Sequence, residues 1–341
     1  MTAHRSLALP ARLTRARGMI GAAVLAACSS TSSSGERSGT GSVDSSREAV
    51  LPRSTCAGDS SAATATSSIR MARGVTYITR NGQPLHFDVA WSEMGPPAPL
   101  VMLLHGGGWS GGSRASLSGE MRALAQRGYT AATVEYRLTQ RGQNVFPAAI
   151  ADVRCALRAL RGRAAQYHIE PDRVAAVGYS AGGHLASLLG TGSDVRGLDG
   201  ECGEPNMRDE DVRVQAVVSY AGPQDLRVNG PYTREQAEIV TNYLGVFPGD
   251  NPALATLASP IAHVSEGDPP FLLVHGTDDD LVPVSHARRM AAALRQVGTP
   301  ASVLELRRTG HEFVGLAASD IDRVRCTVDA FLNRWLGQSH G

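Results

Sequence analysis

The sequence predicts an α/β protein with a mostly parallel, doubly wound sheet of eight strands and helices on both faces. Short apolar segments alternate along the chain with segments whose apolar residues recur every three or four positions, which is typical of β–α–β units. The apolar segments are continuous, as in parallel strands that are buried on both faces. They are preceded by two segments that flank Asn81-Gly82, a dipeptide that favours the turn of an antiparallel hairpin.

The individual strands and helices follow from these patterns in chain order. The predicted strands are Val75–Thr79, Leu85–Ala90, Leu100–Leu104, Thr130–Val134, Val174–Tyr179, Val214–Tyr220, Phe271–His275 and Ser302–Leu306. The predicted helices are Leu117–Gln126, Pro147–Tyr167, Ala181–Leu189, Ser285–Gln296 and Ile321–Trp335. The less regular stretch Gly222–Val264 is predicted either as a small lid segment over a site or as a long connection.

Residues 1–27 are predicted to be a lipoprotein signal peptide. Arginines without any acidic residue precede the apolar run Gly18–Ala27, which is too short to span a bilayer but suits the core of a signal peptide. The sequence Leu-Ala-Ala-Cys that ends at Cys28 resembles a bacterial lipobox, in which the cysteine is acylated; an ordinary secretory signal is the alternative. We therefore expect an exported protein, anchored through a lipid on Cys28 to the periplasmic or extracellular face of a membrane.

The composition after Cys28 predicts a tether and then a folded body. Residues 28–69 are rich in Ser, Thr, Gly and Ala and lack aromatic side chains, so they are predicted to form a disordered linker. Residues 70–341 form the predicted folded domain. The four remaining cysteines are expected to pair as Cys155–Cys202 and Cys56–Cys326, because an even number in an exported chain favours disulfides; buried free thiols are the alternative.

The charge composition excludes several classes of function. The net charge is +1, so nucleic acid is not an expected partner, because phosphate binding needs a clustered excess of basic side chains. All 33 basic residues are arginine, which excludes a Schiff-base lysine, a P-loop and a Ser-x-x-Lys nucleophile. The spacing of histidines, acids and cysteines predicts no metal site, and no cofactor is expected.

Ser180 is the candidate nucleophile. It lies in Gly178-Tyr179-Ser180-Ala181-Gly182, after a predicted strand and before a predicted helix. Glycines at both ends of G-x-S-x-G allow a sharp turn that exposes the serine hydroxyl beside the N–H groups of the helix N-terminus. A glycine-rich turn with an incidental serine is the alternative.

A second glycine-rich motif follows an earlier strand. In His105-Gly106-Gly107-Gly108-Trp109, consecutive glycines let backbone N–H groups approach a ligand closely. Acyl transfer needs such donors, because negative charge develops on the carbonyl oxygen of the substrate. We assign the N–H groups of Gly107, Gly108 and Ala181 as oxyanion donors. A dinucleotide-binding loop is excluded, since neither Gly-x-Gly-x-x-Gly nor its acidic partner stands in the required frame.

These motifs together resemble the α/β-hydrolase superfamily. The resemblance rests on HGGGW, on Tyr136-Arg137-Leu138 with Phe146-Pro147-Ala148-Ala149 and Asp152, and on GYSAGGHLAS. It extends over about residues 75–337 and is strongest to the esterase/lipase branch, which includes hormone-sensitive-lipase-like carboxylesterases and the feruloyl-esterase-like (BD-FAE) group. Tyr179 replaces the acidic residue that many carboxylesterases carry before the serine, which favours the BD-FAE side and formamidases with an HGGxW loop.

The resemblance implies the two remaining catalytic positions. The family pattern HGxxDxxVP places the acid on Asp279, so that Asp278 and Asp280 are expected to be solvated loop residues or a helix N-cap. The loop Gly310-His311-Glu312-Phe313 resembles the family's GHxF loop, which implies that His311 is the catalytic base. The other histidines are expected to be structural or exposed.

The predicted function is that of a serine carboxylesterase with a small-molecule substrate, a small or aryl-acyl ester. Trp109 and Tyr179 are assigned to the substrate pocket, while three aromatic residues either line it or belong to the core: Tyr232, Tyr243 and Phe247. The alternatives are an amidase, formamidase or peptidase of the same fold, and a catalytically dead hydrolase-like lipoprotein that serves as a binding module. The oligomeric state is left open.

Overall fold

The structure is a computed structural model that describes residues 69–202, 212–228 and 233–337. The predicted signal peptide and its lipidation site Cys28, nearly all of the predicted linker, and the residues Cys56 and Tyr232 lie outside these ranges. Within these three ranges, the search for a helix long and apolar enough to cross a bilayer found none.

Eight strands form a single sheet. They are β1 (Ile69–Arg80), β2 (Gln83–Ser92), β3 (Ala98–Leu104), β4 (Thr130–Val134), β5 (Ile169–Tyr179), β6 (Ala216–Tyr220), β7 (Phe271–Gly276) and β8 (Ala301–Leu306). Their order across the sheet is β1-β2-β4-β3-β5-β6-β7-β8. Strand β2 pairs antiparallel with β1 and β4, and every later pair is parallel. The predicted eight-stranded, mostly parallel sheet with a leading hairpin is confirmed.

Helices connect the parallel strands. Those described are α1 (Ser118–Gln126), α2 (Ala148–Gly162), α3 (Ala181–Thr191), α4 (Arg234–Leu244), α5 (Pro252–Leu257), α6 (Ser285–Gln296) and α7 (Ala318–Leu336). Helix α2 ends five residues before the predicted Tyr167, because the chain leaves the helix in consecutive turns up to His168, whose φ of 50° is left-handed. Helices α4 and α5 lie within the stretch that was predicted as a lid or a long connection.

The core consists of two apolar clusters, one on each face of the sheet. Strand β3 shows the division, since its side chains alternate between the faces. Leu100, Met102 and Leu104 pack with apolar residues of α2, α3 and α6. Val101 and Leu103 pack with those of α1 and α7. All five side chains are fully buried, and burial of each stabilises the fold by roughly 1.5–3 kcal/mol.

The topology places two loops side by side at one edge of the sheet. Strand β3 lies between β4 and β5, so the chain reverses its direction of progress across the sheet at this point. Leu104, the last residue of β3, is the register partner of Gly178 in β5. The loop that begins at His105 and the turn that contains Ser180 therefore leave the sheet as neighbours. Ligands of open α/β sheets bind in a crevice of this kind.

A disulfide closes the segment that follows α3. Cys155 in α2 is bonded to Cys202, which confirms the first predicted pair. Asp199 in the same segment forms ion pairs with two arginines of α2. Its Oδ2 lies 2.7 Å from Nη1 of Arg154, and its Oδ1 lies 2.9 Å from Nη2 of Arg158. Cys326 is also disulfide-bonded, and its predicted partner lies outside the described residues.

Candidate active site

Ser180 lies in a strained turn between β5 and α3. Its φ and ψ angles are 52° and −118°, a conformation that costs energy for a residue with a side chain. The N–H group of Ser180 donates to the carbonyl of Tyr220 at 2.7 Å and holds the turn against β6. A Cβ atom at Gly178 would overlap the carbonyl of Gly182, and one at Gly182 would overlap the carbonyl of Leu104. The close backbone approach explains why glycine stands at both ends of the motif.

The structure brings Ser180, His311 and Asp279 together. The Oγ atom of Ser180 lies 2.9 Å from Nε2 of His311, and Nδ1 of His311 lies 2.8 Å from Oδ2 of Asp279. Asp279 follows β7, and His311 follows β8, so three strand ends at the same edge of the sheet supply the three side chains. All three residues are buried. The arrangement is that of a nucleophile, a base and an orienting carboxylate within hydrogen-bond distance.

Asp279 is held as a carboxylate. Burial opposes its ionisation, but hydrogen bonds from His275 and His311 and from the N–H of Val282 hold its pKa at about 2. The N–H groups of Leu281 and Val282 both donate to its Oδ1, at 3.1 and 2.8 Å. Because Asp279 is ionised at neutral pH, Nδ1 of His311 carries the proton that it donates, and Nε2 is left to accept the Ser180 proton.

The neighbouring aspartates take no part in this contact. Asp278 and Asp280 are both exposed. Asp278 accepts a hydrogen bond from the Thr277 hydroxyl at 2.8 Å. Of the three consecutive aspartates, the structure therefore directs only Asp279 toward His311.

The loop after β3 adopts a conformation that requires glycine. Gly107 and Gly108 have φ angles of +116° and +56°, and a Cβ atom at Gly107 would overlap the carbonyl of Gly111. The carbonyl of Gly107 accepts hydrogen bonds from the N–H groups of Ser110 and Gly111, at 3.1 and 2.9 Å. Among the described residues, the N–H groups of Gly107, Gly108 and Ala181 have no carbonyl acceptor. Of these three residues, Gly108 and Ala181 lie beside Ser180 in the wall of a cavity, so their N–H groups are available to a ligand.

His105, the first residue of this loop, stabilises it through contacts with Tyr136. Its ring stacks on that of Tyr136, with 4.3 Å between the ring centroids, and the Tyr136 hydroxyl donates to the His105 carbonyl at 2.7 Å. Burial lowers the pKa of His105 to about 4, so its ring is neutral at pH 7. The histidine of the HGGGW motif has the structural role that was expected for it.

A cavity of about 250 Å³ opens beside Ser180. Gly108 and Ala181 line it, whereas Gly107 does not. Its apolar wall consists of Trp109, Leu226, Ile239, Val240, Leu281 and Val282. Its polar and charged lining includes Asp225, Arg227, Gln236, Ser285, His286 and Arg289. A largely apolar cavity with a few polar groups beside a nucleophile is typical of a substrate pocket.

Part of the predicted lid forms one wall of this cavity. Residues 223 and 225–227 line it, and so do Gln236, Ile239 and Val240 of α4. The Gln236 side chain donates to the carbonyls of Asp280 and Leu281, at 3.0 and 3.1 Å. Helix α4 is therefore tied to the loop that carries Asp279.

The aromatic residues proposed for the pocket divide into three groups. Trp109 lines the cavity and stacks on Tyr243, with 4.0 Å between the ring centroids; Tyr243 is fully buried behind it. Phe247 is exposed and does not line the cavity. The assignment of Tyr179 to the pocket is wrong for this cavity: Tyr179 is buried against Phe313, and its hydroxyl donates to the carbonyl of His311.

Sequence analysis missed all six of these polar and charged lining residues, among them Asp225, Arg227, His286 and Arg289. His286 was expected to be structural or exposed; it lines the cavity, and its Nδ1 accepts the Gln224 N–H at 3.1 Å. Burial lowers its pKa to about 4, so it is neutral at pH 7. The available signal was position, since Asp225 and Arg227 closely follow the carboxyl end of β6, where ligands of α/β sheets bind.

Comparison with known proteins decides the family. The BD-FAE family model matches residues 87–294, which is more than half of the chain. The chain belongs to the BD-FAE family. A resemblance that the motifs predicted is thereby confirmed, and the strands β3 to β7, with Ser180 and Asp279, lie within the matched range of the BD-FAE model.

Relatives of this BD-FAE chain include two proteins of Mycobacterium tuberculosis. The probable carboxylic ester hydrolase LipM is 32% identical over 76% of the chain and 60% of its own length. Esterase LipQ is 32% identical over 72% of the chain and 58% of its own length. The chain thus spans about 60% of the length of these relatives.

A solved structure shows the same fold. A truncated form of a carbohydrate esterase from gut microbiota superposes with a TM-score of 0.69 and 22% identity, and the match covers 80% of the chain and 98% of that protein. The predicted α/β-hydrolase fold is confirmed. Within the described residues, no group of three His, Cys, Asp or Glu side chains is arranged as a metal site.

Proposed function

We propose that this chain is a serine carboxylesterase that hydrolyses small or aryl-acyl esters through Ser180, His311 and Asp279. The observation that carries the proposal is the 2.9 Å contact between Ser180 Oγ and His311 Nε2 beside a cavity that has N–H donors on its wall. The ester-hydrolase names of LipM and LipQ support the same class of reaction.

Acylation begins with attack by Ser180 on the ester carbonyl. A serine hydroxyl is a weak nucleophile, so His311 removes its proton through Nε2 as the new C–O bond forms. Asp279 accepts the Nδ1 hydrogen bond and stabilises the imidazolium without taking its proton. The negative charge on the carbonyl oxygen is stabilised by the N–H groups of Gly107, Gly108 and Ala181; loss of one such donor costs about 2.7–4 kcal/mol.

The attack of Ser180 forms a tetrahedral intermediate, and collapse of this intermediate releases the alcohol. The imidazolium of His311 gives its proton to the leaving oxygen as the ester C–O bond breaks, which leaves the acyl group on Ser180. His311 then takes a proton from a water molecule that attacks the acyl carbon. The second collapse releases the carboxylic acid and returns the proton to Ser180, so the enzyme is regenerated.

The dimensions of the cavity support a small substrate. Its volume of about 250 Å³ is below the ~300–1,000 Å³ of pockets for drug-sized ligands. The apolar wall, with Trp109 at one side, suits a short alkyl or aryl group. We therefore expect hydrolysis to fall steeply as the acyl chain lengthens beyond butyrate.

Hydrolysis of p-nitrophenyl esters from acetate to laurate tests the proposal. We expect the wild type to hydrolyse the short esters and Ser180→Ala to lose about 10³- to 10⁶-fold in kcat. Ser116→Ala is the matched control, because it removes an exposed hydroxyl from a residue that does not line the cavity, and we expect it to keep its activity. Hydrolysis that survives in Ser180→Ala contradicts the proposal. Turnover of formamides or peptides alone indicates an amidase, and turnover of none of these indicates a binding module.

We also propose that the chain is exported as a lipoprotein acylated on Cys28. The lipobox-like sequence before Cys28 supports this, and so does the Cys155–Cys202 disulfide, because disulfides persist in oxidising compartments. Growth with an alkyne-labelled palmitate tests it: the wild type takes up the label and sediments with membranes, and Cys28→Ser does neither. An unlabelled, soluble wild-type protein contradicts it.

A further inference from the structure

Two arginines share one buried carboxylate in the wall of the cavity. Asp225 is 2% exposed, and Arg227 contacts it in a bidentate manner, with Nε 2.8 Å from Oδ1 and Nη2 2.9 Å from Oδ2. Nη2 of Arg289, which comes from α6, lies 2.5 Å from Oδ2 of Asp225. Burial opposes ionisation of Asp225, but the hydrogen bonds from Arg227 hold its pKa below the ordinary value, so the group is charged.

The charges in this wall do not cancel. Of the described residues that line the cavity, the charged ones are Asp225, Arg227 and Arg289, since His286 is neutral at pH 7. Within the described lining, the charge of Arg227 offsets that of Asp225, and Arg289 adds one further positive charge. A single carboxylate needs one bidentate guanidinium to offset its burial, and a second cation is not required for this purpose.

Arg289 is placed to bind a further group. Its side chain is 46% exposed, and among the described residues its Nε and Nη1 groups have no hydrogen-bond partner. The N-terminus of α6 adds to the positive potential, because Pro283, Ser285 and His286 line the cavity and the first turn of the helix carries neither an acidic residue nor a side-chain cap. Ser180 lines the same cavity.

We propose that this cavity binds the carboxylate of an anionic ester substrate, with Arg289 as its principal ligand and Arg227 holding Asp225 in place. This inference rests on the proposed esterase function and names the class of its substrate. The planar guanidinium presents paired N–H donors that match a carboxylate. The apolar wall then packs against the carbon atoms between that carboxylate and the ester that reaches Ser180.

Matched substrates that differ only in charge test this inference. Monomethyl adipate and its neutral monoamide place the group on the acyl side, and 3-acetoxybenzoate and 3-acetoxybenzamide place it on the alcohol side. Acid release in a pH-stat gives kcat/KM for each member. We expect the wild type to prefer the anionic member of at least one pair by about 10-fold or more, and this preference to weaken as salt is added.

Variants of two neighbouring arginines identify the residue responsible. Arg289→Gln removes the surplus charge, and we expect it to lower the anionic-to-neutral ratio of kcat/KM about 10- to 100-fold, while Arg289→Lys keeps part of the preference. Arg288→Gln is the matched control, since Arg288 precedes Arg289 in α6, is 56% exposed and pairs with Glu305 outside the cavity. It leaves the ratio unchanged.

The failure of this inference is distinguishable from failure of the proposed function. A wild type that hydrolyses both members of each pair equally, or an Arg289→Gln variant that keeps the wild-type ratio, overturns the inference and leaves the esterase proposal standing. If the wild type hydrolyses neither these esters nor the p-nitrophenyl esters, the esterase proposal fails. Calorimetric binding of monomethyl adipate to Ser180→Ala then decides the inference by itself: we expect binding that weakens about 10-fold when Arg289→Gln is added, and equal affinity in both proteins overturns it.

Discussion

Nε2 of His275 lies 3.3 Å from the same Asp279 oxygen that contacts His311. The His275 ring also donates to the carbonyl of Val282 at 2.6 Å, and the Val282 N–H donates back across the loop to Asp279 at 2.8 Å. These contacts fix the conformation of the loop formed by residues 275–282. Its geometry turns Asp279 inward and leaves the adjacent aspartates in solvent.

Asp279→Asn is expected to lower kcat for ester hydrolysis roughly 10³- to 10⁴-fold. The amide keeps the size of the side chain, but it does not stabilise the imidazolium and it favours the wrong tautomer of His311. The measurement is kcat on p-nitrophenyl butyrate.

The two adjacent aspartates supply the control for this prediction. Asp278→Asn and Asp280→Asn remove the same charge from exposed positions in the same loop, so each is expected to keep kcat within about threefold. If one of them costs more than Asp279→Asn, the assignment of the orienting carboxylate is incorrect.

Gly182→Ala is expected to destabilise the protein by about 1–3 kcal/mol. Its Cβ atom would overlap the carbonyl of Leu104, so β3 and α3 have to move apart. Gly119→Ala is the matched control, because Gly119 is likewise the second residue of its helix and a Cβ atom there meets nothing within 4 Å. We expect it to stabilise the protein by about 0.5–1 kcal/mol. Urea unfolding of both variants measures the difference, and equal stabilities would contradict the close-approach argument.

The stability of the fold is expected to decrease between pH 7 and pH 5. His184 is fully buried, its Nε2 bonds the carbonyl of Ala258 at 2.7 Å, and burial lowers its pKa from 6.5 to about 4. Within this interval the unfolded chain binds a proton that the folded protein excludes, so lowering the pH favours unfolding. For His184 alone the loss is about 2 kcal/mol between pH 7 and pH 5.

His184→Gln tests the source of this pH dependence. Glutamine keeps a donor for Ala258 but does not titrate, so the loss of unfolding free energy between pH 7 and pH 5 should shrink by about 2 kcal/mol. A remaining slope is expected from His105 and His286, whose pKa values are also lowered to about 4. Asp279 acts in the same direction but at lower pH, since its stabilising effect is lost only as the pH falls from 3.8 toward 2. A variant with the wild-type slope would refute the role of His184.

Replacement of Cys155 and Cys202 by alanine is expected to lower the free energy of unfolding by about 2–4 kcal/mol. The bond closes a segment with a sequence separation of 47 residues and so restricts the unfolded chain. Urea unfolding under oxidising conditions gives the value, and esterase activity at 25 °C should be kept, because neither residue lines the cavity. No change in stability would indicate that the ion pairs of Asp199 hold the segment without the bond.

Local sequence patterns predicted the regular elements well. The apolar segments of β3 and β5 stand out because strands buried on both faces need uninterrupted hydrophobic side chains. The end of α2 was misplaced, since helix-compatible residues continue past Gly162 and the left-handed turn at His168 has no sequence signature. Helix α4 was missed although Thr233 and Gln236 form a capping box, a signal that the sequence does carry.

The candidate site residues also differ in how directly the sequence identifies them. Ser180 and the glycines around it belong to one turn, so their spacing along the chain reflects their geometry directly. Three consecutive aspartates are equivalent in sequence, and family resemblance was needed to choose one of them. In the structure the choice depends on hydrogen bonds to Val282 and to His311, which lies 32 residues further on.

The order of the strands and the turn at Ser180 were therefore readable from the chain, because each depends on residues that are neighbours in sequence. The cavity was not. Asp225 and Arg289 are 64 residues apart and meet only because the loop after β6 packs against α6. Contacts of this kind depend on how complete elements pack together, and no local periodicity encodes that packing.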